Sequence, residues 1–444
     1  VRVVLLCGGS GKRLWPLSND VRSKIYLKQL TAPDGQPESM IQRVCRQLEA
    51  SGLLSSTIIV THASQVEITR NHIGYSVPIL AEPMKKGTFT AVALVAAFIH
   101  AQLGLRSDEV LIVLPADVFA EDGYFIALSK LPKVLDATKA DLAFLGTVPS
   151  QPSEQFGYIV PKVGSDIRSG DVLQVDRFVE KPEEEHAMGL VRQGALWNCG
   201  VFAFQLGFML DKMKAAGFPW KFEDMLLQYP GLTELSFDKE IAEKSGNAVV
   251  VPYCGAWTDL GQWGTLTELF DRQVSGFGTV SPDSVNTHLV NELSVPVHVI
   301  NISNAIIAAG PDGILVADKE SSARIKEELL RAPLPVAMYE EWSWGESTVL
   351  DFTLTGSLET ITRKLNVRPG EVIGKQVYAT SDLVWVVLTG RGEVSSGKLI
   401  RELAPGESVQ IPRGVDHSIR VVGNEELMLL EVRTGQVLGK SGKV

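Results

Sequence analysis

Four short apolar runs recur through the first 265 residues: VRVVLL (1–6), STIIVT (56–61), EVLIVLP (109–115) and ADLAFLG (140–146). Each is near-continuous instead of alternating, the pattern of a strand buried on both faces of a parallel sheet. Between them, SMIQRVCRQLEAS (39–51) and TAVALVAAFIHAQLG (90–104) read as helices. Strands and helices taking turns predict a doubly wound α/β domain, with ligands bound beyond the carboxyl ends of the strands.

After Trp263 the pattern changes. Residues 266–339 hold short strand-like runs broken by Asn, Ser, Pro and Gly, then a helical stretch at SSARIKEELL (321–330). This predicts a connector that includes a small coil of strands. From residue 340 to 444 the chain reads as all-β: ETITRKLNVRPGE, LVWVVLTGRGEV, ESVQIPRGVDHSI and ELMLLEVRTG are strands joined by Pro-Gly or Gly turns. A small β-barrel or sandwich fits that pattern.

Length and charge narrow the function. At 444 residues the chain exceeds one ordinary domain. Its net charge of −10, with no basic run, argues against a nucleic-acid partner. A polyanionic small substrate would need a local basic pocket in this acidic protein. Cys7, Cys45, Cys199 and Cys254 lie far apart with no CxxC pair, which suits neither a zinc site nor a disulfide framework and predicts a reducing cytoplasm. The chain starts directly in a strand pattern, without the charged and apolar regions of a leader. Its longest apolar run, at 91–105, carries His100 and Gln102 and is too short to span a bilayer. A soluble, cytoplasmic protein without membrane contact is expected.

The richest local signal follows the first strand. GGSGKRLWPL (8–17) puts glycines directly after apolar residues, where backbone N–H groups can approach phosphate oxygens closely. It is not a Walker A loop: Leu6 stands five before Gly11, and Arg13 follows Lys12 where Ser or Thr belongs. Nor does GSGKRL have the third glycine of a dinucleotide fingerprint. Lys24 follows Arg13 by eleven residues in RSKIYLKQL. Further on come PADVF with Asp117, GYIVPK, FVEKP, WNCGVFAF and WTDLGQW with Asp259. In that order these motifs resemble the nucleotide-sugar pyrophosphorylases, whose opening reads GGxGxRLxPL followed by a lysine. WPLS, FVEKP, LWNCG and WTDLGQW most resemble the mannose-1-phosphate guanylyltransferase family within it. The resemblance implies a Rossmann-like, GT-A-like nucleotidyltransferase domain over residues 1–265.

It also implies a set of roles. Gly8, Gly9, Ser10, Gly11, Lys12 and Arg13 would hold a nucleoside triphosphate, with Lys24 at the reacting phosphates. Asp117 and Asp259 would carry Mg²⁺, a hard cation suited to carboxylate and phosphate oxygen. Lys181 would bind the sugar phosphate, and Gly157, Glu180 and Asn198 the sugar hydroxyls. In AEPMKKGTFTA (81–91), Glu82 and Thr88 match the family's base-reading segment. Gly87 stands where Asn or Asp is usual and Thr90 where Pro is usual. The implied partners are GTP and a sugar 1-phosphate, with mannose 1-phosphate favoured. Another hexose or nucleotide stays open, as does a silent subunit that senses nucleotide sugar.

PGESVQIPRGVDH matches the second motif of cupin barrels through Gly406, Pro412, Gly414 and His417. Relatives with such a barrel use it as a phosphomannose isomerase with Gln, His and Glu metal ligands. Here Gln376 survives, but Tyr378, Thr380 and Leu383 occupy the other expected positions. One histidine and one amide oxygen make a poor zinc site. The domain is therefore expected to be a structural or dimerising barrel without isomerase activity, in a homodimer. A chain ending near residue 335 is expected to keep some chemistry.

Overall fold

The structure, a computed structural model, describes residues 1–9, 12–162, 171–331 and 336–436. Two compact units emerge: Val1–Gly9 with Ile25–Gly261, and Ser10–Lys24 with Gln262–Val444.

The first unit is built on a nine-stranded sheet: β1 (Arg2–Leu6), β2 (Thr57–His62), β3 (Ile79–Glu82), β4 (Val110–Pro115), β5 (Leu142–Thr147), β6 (Gly157–Pro161), β7 (Leu173–Glu180), β8 (Leu196–Gln205) and β9 (Ala248–Tyr253). Their spatial order is β3-β2-β1-β4-β8-β5-β9-β7-β6. Strands β3, β2, β1 and β4 run parallel, as do β5 and β9. The four strands read from the sequence, β1, β2, β4 and β5, run the same way, whereas β8 lies antiparallel between β4 and β5, and β6 and β7 are antiparallel to each other. A buried antiparallel strand carries the same apolar run as a parallel one, so hydrophobicity could not distinguish them.

Alternation along the strands sends side chains to opposite faces. Val4, Ile58, Val60, Leu111 and Val113 join a core with the helices α2 (Gly87–Ala101), α4 (Leu206–Ala215) and α5 (Phe222–Gln228). Their strand neighbours Val3, Leu5, Ile59, Ile112 and Leu114 are also buried. Helix α3 (Leu131–Thr138) packs on β5 and β8. Fully burying a Val or Leu side chain contributes roughly 1.5–3 kcal/mol, which makes this sheet a rigid base. Helix α2 is apolar nearly all round and correspondingly buried. Helix α1 (Met40–Ala50) starts at Ser39, whose hydroxyl accepts from Gln42 N while Gln42 Oε1 accepts from Ser39 N at 3.0 Å. The order reverses at β1, with β2 on one side and β4 on the other. The crevice beyond their carboxyl ends is where such sheets bind ligands.

The second unit contains the expected small coil. Val274–Gly276, His288–Asn291 and Ala305–Gly310 pair in parallel, as do Gly278–Val280 and Val297–Val299. The helical stretch follows, ending in Ile325–Arg331. Beyond it are a six-stranded and a four-stranded antiparallel sheet. They share one core, to which Val367, Leu383, Trp385 and Leu429 contribute from the larger sheet and Ile373, Val394, Leu403 and Ile419 from the smaller. Among the described residues this is a two-sheet sandwich, with no strand pairing that closes it into the expected barrel. No helix among the described residues is long and apolar enough to cross a membrane.

Candidate active site

Asp117 follows β4 by two residues, at the reversal point of the sheet. The next strand, Val118–Ala120, pairs antiparallel with Trp257–Asp259, and the register places Asp259 opposite Val118. This ribbon brings Asp117 and Asp259 to one place although much of the domain separates them in sequence. Both line a cavity of about 160 Å³. Gly157, Glu180, Lys181 and Asn198 line it too, so the metal-binding and sugar-binding candidates of the first unit converge.

Local backbone features aim these groups. Lys181 has φ +46°, uncommon for a side chain other than glycine, and its N–H donates to Phe156 O at 3.2 Å. Its ammonium pairs with the Glu180 carboxylate. Gly157 is required by close approach: a Cβ there would lie 2.5 Å from Phe178 Cζ and 2.8 Å from Glu180 Oε2. Asn198 precedes a register shift between β8 and β5, and its Oδ1 accepts from Gly200 N at 3.0 Å. Such bulges redirect side chains next to binding sites.

Asp238 lines the cavity from outside the sequence motifs, and Trp257 lines it as the first residue of WTDLGQW. Asp238, in a wide helical turn at Asp238–Ala242, lies 3.5 Å from Asn198 Nδ2 and accepts from Ser236 Oγ at 3.2 Å. Trp257 stacks edge-on against Phe156, itself 4.6 Å from Trp197 between ring centroids. The indole N–H groups of Trp197 and Trp257 are buried without a hydrogen-bond partner among the described residues. Ser236 is a sequence neighbour of Asp238, whereas Asn198 comes from the distant strand β8. Burial raises the carboxyl pKa of Glu180, with Asp238 adding to the rise and Lys181 opposing it. Burial likewise raises Asp238 against the pull of Lys181. Glu180 and Asp238 thus share the Lys181 charge, and sugar hydroxyls can donate to such carboxylates.

Gly8 and Gly9 are exposed just past β1. Glu82 ends β3, is 4% exposed, and accepts from Tyr229 Oη at 2.7 Å. Its other oxygen would lie 3.2 Å from a Cβ on Gly8, and burial raises its pKa. The hydroxyl of Thr88 accepts from Phe237 N at 2.8 Å, so it braces the segment beside Asp238. The departure at Gly87 has a structural reason: at φ +81°, a Cβ would lie 2.3 Å from Leu235 O. Thr90 is buried and donates to Thr233 O at 3.2 Å.

The remaining triphosphate candidates fall elsewhere. Ser10 and Gly11 lie outside the described residues. Lys12, Arg13 and Lys24 belong to the second unit; Lys12 and Arg13 begin one short helical turn and Lys24 another. Lys12 pairs with Asp20 at 3.0 Å on an exposed surface.

In the C-terminal sandwich, Gln376 and His417 face each other in register. Tyr378 donates to Gln376 Oε1 at 2.9 Å and lies 5.4 Å from the His417 ring, while Trp385 meets that ring edge-on at 5.3 Å. Trp385 Nε1 donates to Glu431 Oε2 at 2.9 Å. Glu431, 4% exposed, was not foreseen from sequence. Leu383 is 1% exposed and part of the core. Among the described residues no group of three or more His, Cys, Asp or Glu could hold a metal ion. Asp117 and Asp259 still suit Mg²⁺, which takes one or two carboxylates and completes its shell with water and substrate phosphate.

Residues 2–275 match the nucleotidyl transferase family, and residues 338–443 match the C-terminal domain of mannose-6-phosphate isomerase. The chain belongs to the nucleotidyl transferase family. More particularly, it has the two-part architecture of the bifunctional GDP-mannose pyrophosphorylase and mannose-phosphate isomerase type. It is 27% identical to a mannose-1-phosphate guanylyltransferase of Salmonella montevideo, over 98% of this chain and 96% of that one. It is 26% identical to the alginate biosynthesis protein AlgA of Pseudomonas fluorescens, over 98% and 94%. A crystal structure named as mannose-1-phosphate geranyltransferase, from Thermus thermophilus, superposes with a TM-score of 0.60 at 26% identity, covering 75% of this chain and 99% of that one.

Proposed function

We propose that the protein transfers a guanylyl group from GTP to mannose 1-phosphate, giving GDP-mannose and pyrophosphate. The observation that carries this is the convergence of Asp117, Asp259, Lys181, Glu180, Asn198 and Gly157 on one cavity at the reversal point of the sheet. The names of the full-length relatives supply the choice of mannose and guanine.

In this reaction an oxygen of the sugar phosphate forms a bond to the α-phosphorus, and the bond from that phosphorus to the bridging oxygen breaks as pyrophosphate leaves. The nucleophile is already an anion, so no base has to remove a proton. The task is to assemble and neutralise polyanions. Lys181 holds the sugar phosphate, while Glu180, Asn198 and the Gly157 backbone read hydroxyls. Asp238 and Trp257, which line the same cavity, extend that set. Gly8, Gly9, Lys12, Arg13 and Lys24 hold the triphosphate, and Glu82 offers carboxylate oxygen to a guanine edge. Asp117 and Asp259 would hold Mg²⁺, which supplies charge neutralisation at phosphate oxygen.

The division at 1–265, 266–339 and 340–444 goes with this reading: a Rossmann-like nucleotidyltransferase domain, a connector and a cupin-like domain. Four free cysteines, three of them buried, suit a reducing cytoplasm. We assign no isomerase activity to the C-terminal domain, because Tyr378 and Trp385 pack against the His417 ring and Tyr378 holds Gln376. Pyrophosphate release with Mg²⁺, across five nucleoside triphosphates and both mannose and glucose 1-phosphates, tests the assignment. Release confined to GTP with mannose 1-phosphate is expected. Silence with retained nucleotide-sugar binding would make the chain a sensing subunit. Conversion of mannose 6-phosphate to fructose 6-phosphate would overturn the reading of the C-terminal domain.

A further inference from the structure

The segment Trp15–Arg22 of the glycine-rich loop is held by side chains of the second unit, to which it belongs. Asn19 Nδ2 donates to Asp312 Oδ2 at 2.9 Å and to Tyr339 O at 3.1 Å, while its Oδ1 accepts from Val21 N and Arg22 N at 2.9 and 2.8 Å. Arg22 grips Glu292 with both guanidinium nitrogens, at 2.6 and 3.0 Å, and lies 4.8 Å over the Tyr339 ring. Trp15 O accepts from Trp263 Nε1 at 3.2 Å, and the Trp15 ring lies where a Cβ on Gly313 would stand, 2.6 Å from Cζ2. Asp312 is 4% exposed and its second oxygen accepts from Met338 N at 2.6 Å.

Trp15, the first anchored residue, is two positions after Arg13, and Arg22, the last, is two before Lys24. Two residues span at most about 7 Å, so each cation is tethered closely to a fixed point. A bidentate arginine–carboxylate pair fixes orientation as well as distance. We propose that Asp312 and Glu292 are positioning residues for the triphosphate: they hold the Trp15–Arg22 arm and thereby set Arg13 and Lys24. The inference rests on the nucleotidyl-transfer reading above. It also changes the outlook for a chain ending near residue 335, which would lack Met338 and Tyr339 and so lose partners of Asp312, Asn19 and Arg22.

The test uses the full chain with Asp312→Asn and Glu292→Gln. Asp312→Asn keeps the volume but turns an amide N–H₂ toward Asn19 or Met338; Glu292→Gln removes the charge facing Arg22. A lost hydrogen bond to a charged group corresponds to about tenfold or more in affinity. Each variant should weaken Mg²⁺–GTP binding by about that factor and speed amide exchange over residues 12–24. The KM for the sugar 1-phosphate should stay within about twofold, since the sugar cavity lies in the first unit. Loss confined to GTP with faster exchange supports the assignment. Unchanged GTP affinity in an active enzyme, or equal losses for both substrates, overturns it alone. A wild-type protein that binds and uses no triphosphate overturns the nucleotidyl-transfer reading, and this inference with it. If Asp312→Asn does not fold, the part-exposed Glu292→Gln decides.

Discussion

The cavity at the end of the nine-stranded sheet and the interior of the C-terminal sandwich each gather polar side chains, but the first sets them around open space and the second packs aromatic rings among them. In the first, Asp117, Asp259, Glu180, Asp238, Asn198 and Lys181 border about 160 Å³ of open space. In the second, the cavity beside Gln376, Tyr378 and Glu431 measures about 40 Å³, with Trp342 and Trp344 also lining it. There Trp385 satisfies Glu431, and Tyr378 satisfies Gln376. Polar groups paired with one another stabilise a core. Glu180 and Asp238, whose carboxyls burial holds above their ordinary pKa, border open space that a ligand's donors can enter. The comparison separates an open polar cavity from a filled interior more sharply than residue identity does.

The strongest way to break it is Asp259→Asn. Turnover should fall by about a hundredfold or more, as when a group stabilising developing charge is removed, with Tm nearly unchanged. Near-normal turnover would move the chemistry out of this cavity. Next, Lys181→Met should raise the KM for the sugar 1-phosphate by about tenfold or more, leaving GTP affinity intact; equal effects on both substrates would show that the lysine is not specific to the sugar side. On the sandwich side, Trp385→Phe strands a buried Glu431 oxygen, at a cost of roughly 1–3 kcal/mol. Thermal unfolding should shift down by several degrees while turnover stays within about twofold.

The smallest effect carries the opposite sign. Burial raises the affinity of folded Asp238 for its proton, so its carboxylate costs stability once pH exceeds the ordinary carboxylate range. At more acid pH both folded and unfolded states are protonated and the cost vanishes. Asp238→Asn should therefore raise Tm at pH 7 by about 2 °C and leave it unchanged at acid pH, while weakening sugar-phosphate binding. A drop in Tm at pH 7 would mean that Asp238 acts as a structural acceptor for Ser236 and Asn198.

Much of the site was legible because its motifs are local. Asp117 trails an apolar run that had to be a buried strand, and Glu180 and Lys181 lie in the motif FVEKP. Position beyond a strand's carboxyl end follows from the α/β pattern alone. Asp238 and Glu431 were not legible, since each sits in an ordinary stretch and acquires meaning only from neighbours on other elements. Asp312 is the same case: an acidic residue in a turn after a glycine, until Asn19 and Met338 are found against it. The antiparallel course of β8 was hidden for a different reason, because burial on both faces erases the alternation that reveals a strand's surroundings.

By itself, then, the sequence determined four strands of the first sheet, the α/β-then-β organisation and the glycine-rich loop through short-range periodicity and steric preference, and named six of the cavity's lining residues through the family resemblance of its motifs. Tertiary structure alone decided that the Val118–Ala120 and Trp257–Asp259 ribbon unites the two aspartates, that Asp238 joins Lys181, and that Asp312 and Glu292 grip the loop arm. Those contacts join residues far apart in the chain, and pairing between distant segments is set by the packing of whole surfaces, which no local pattern encodes.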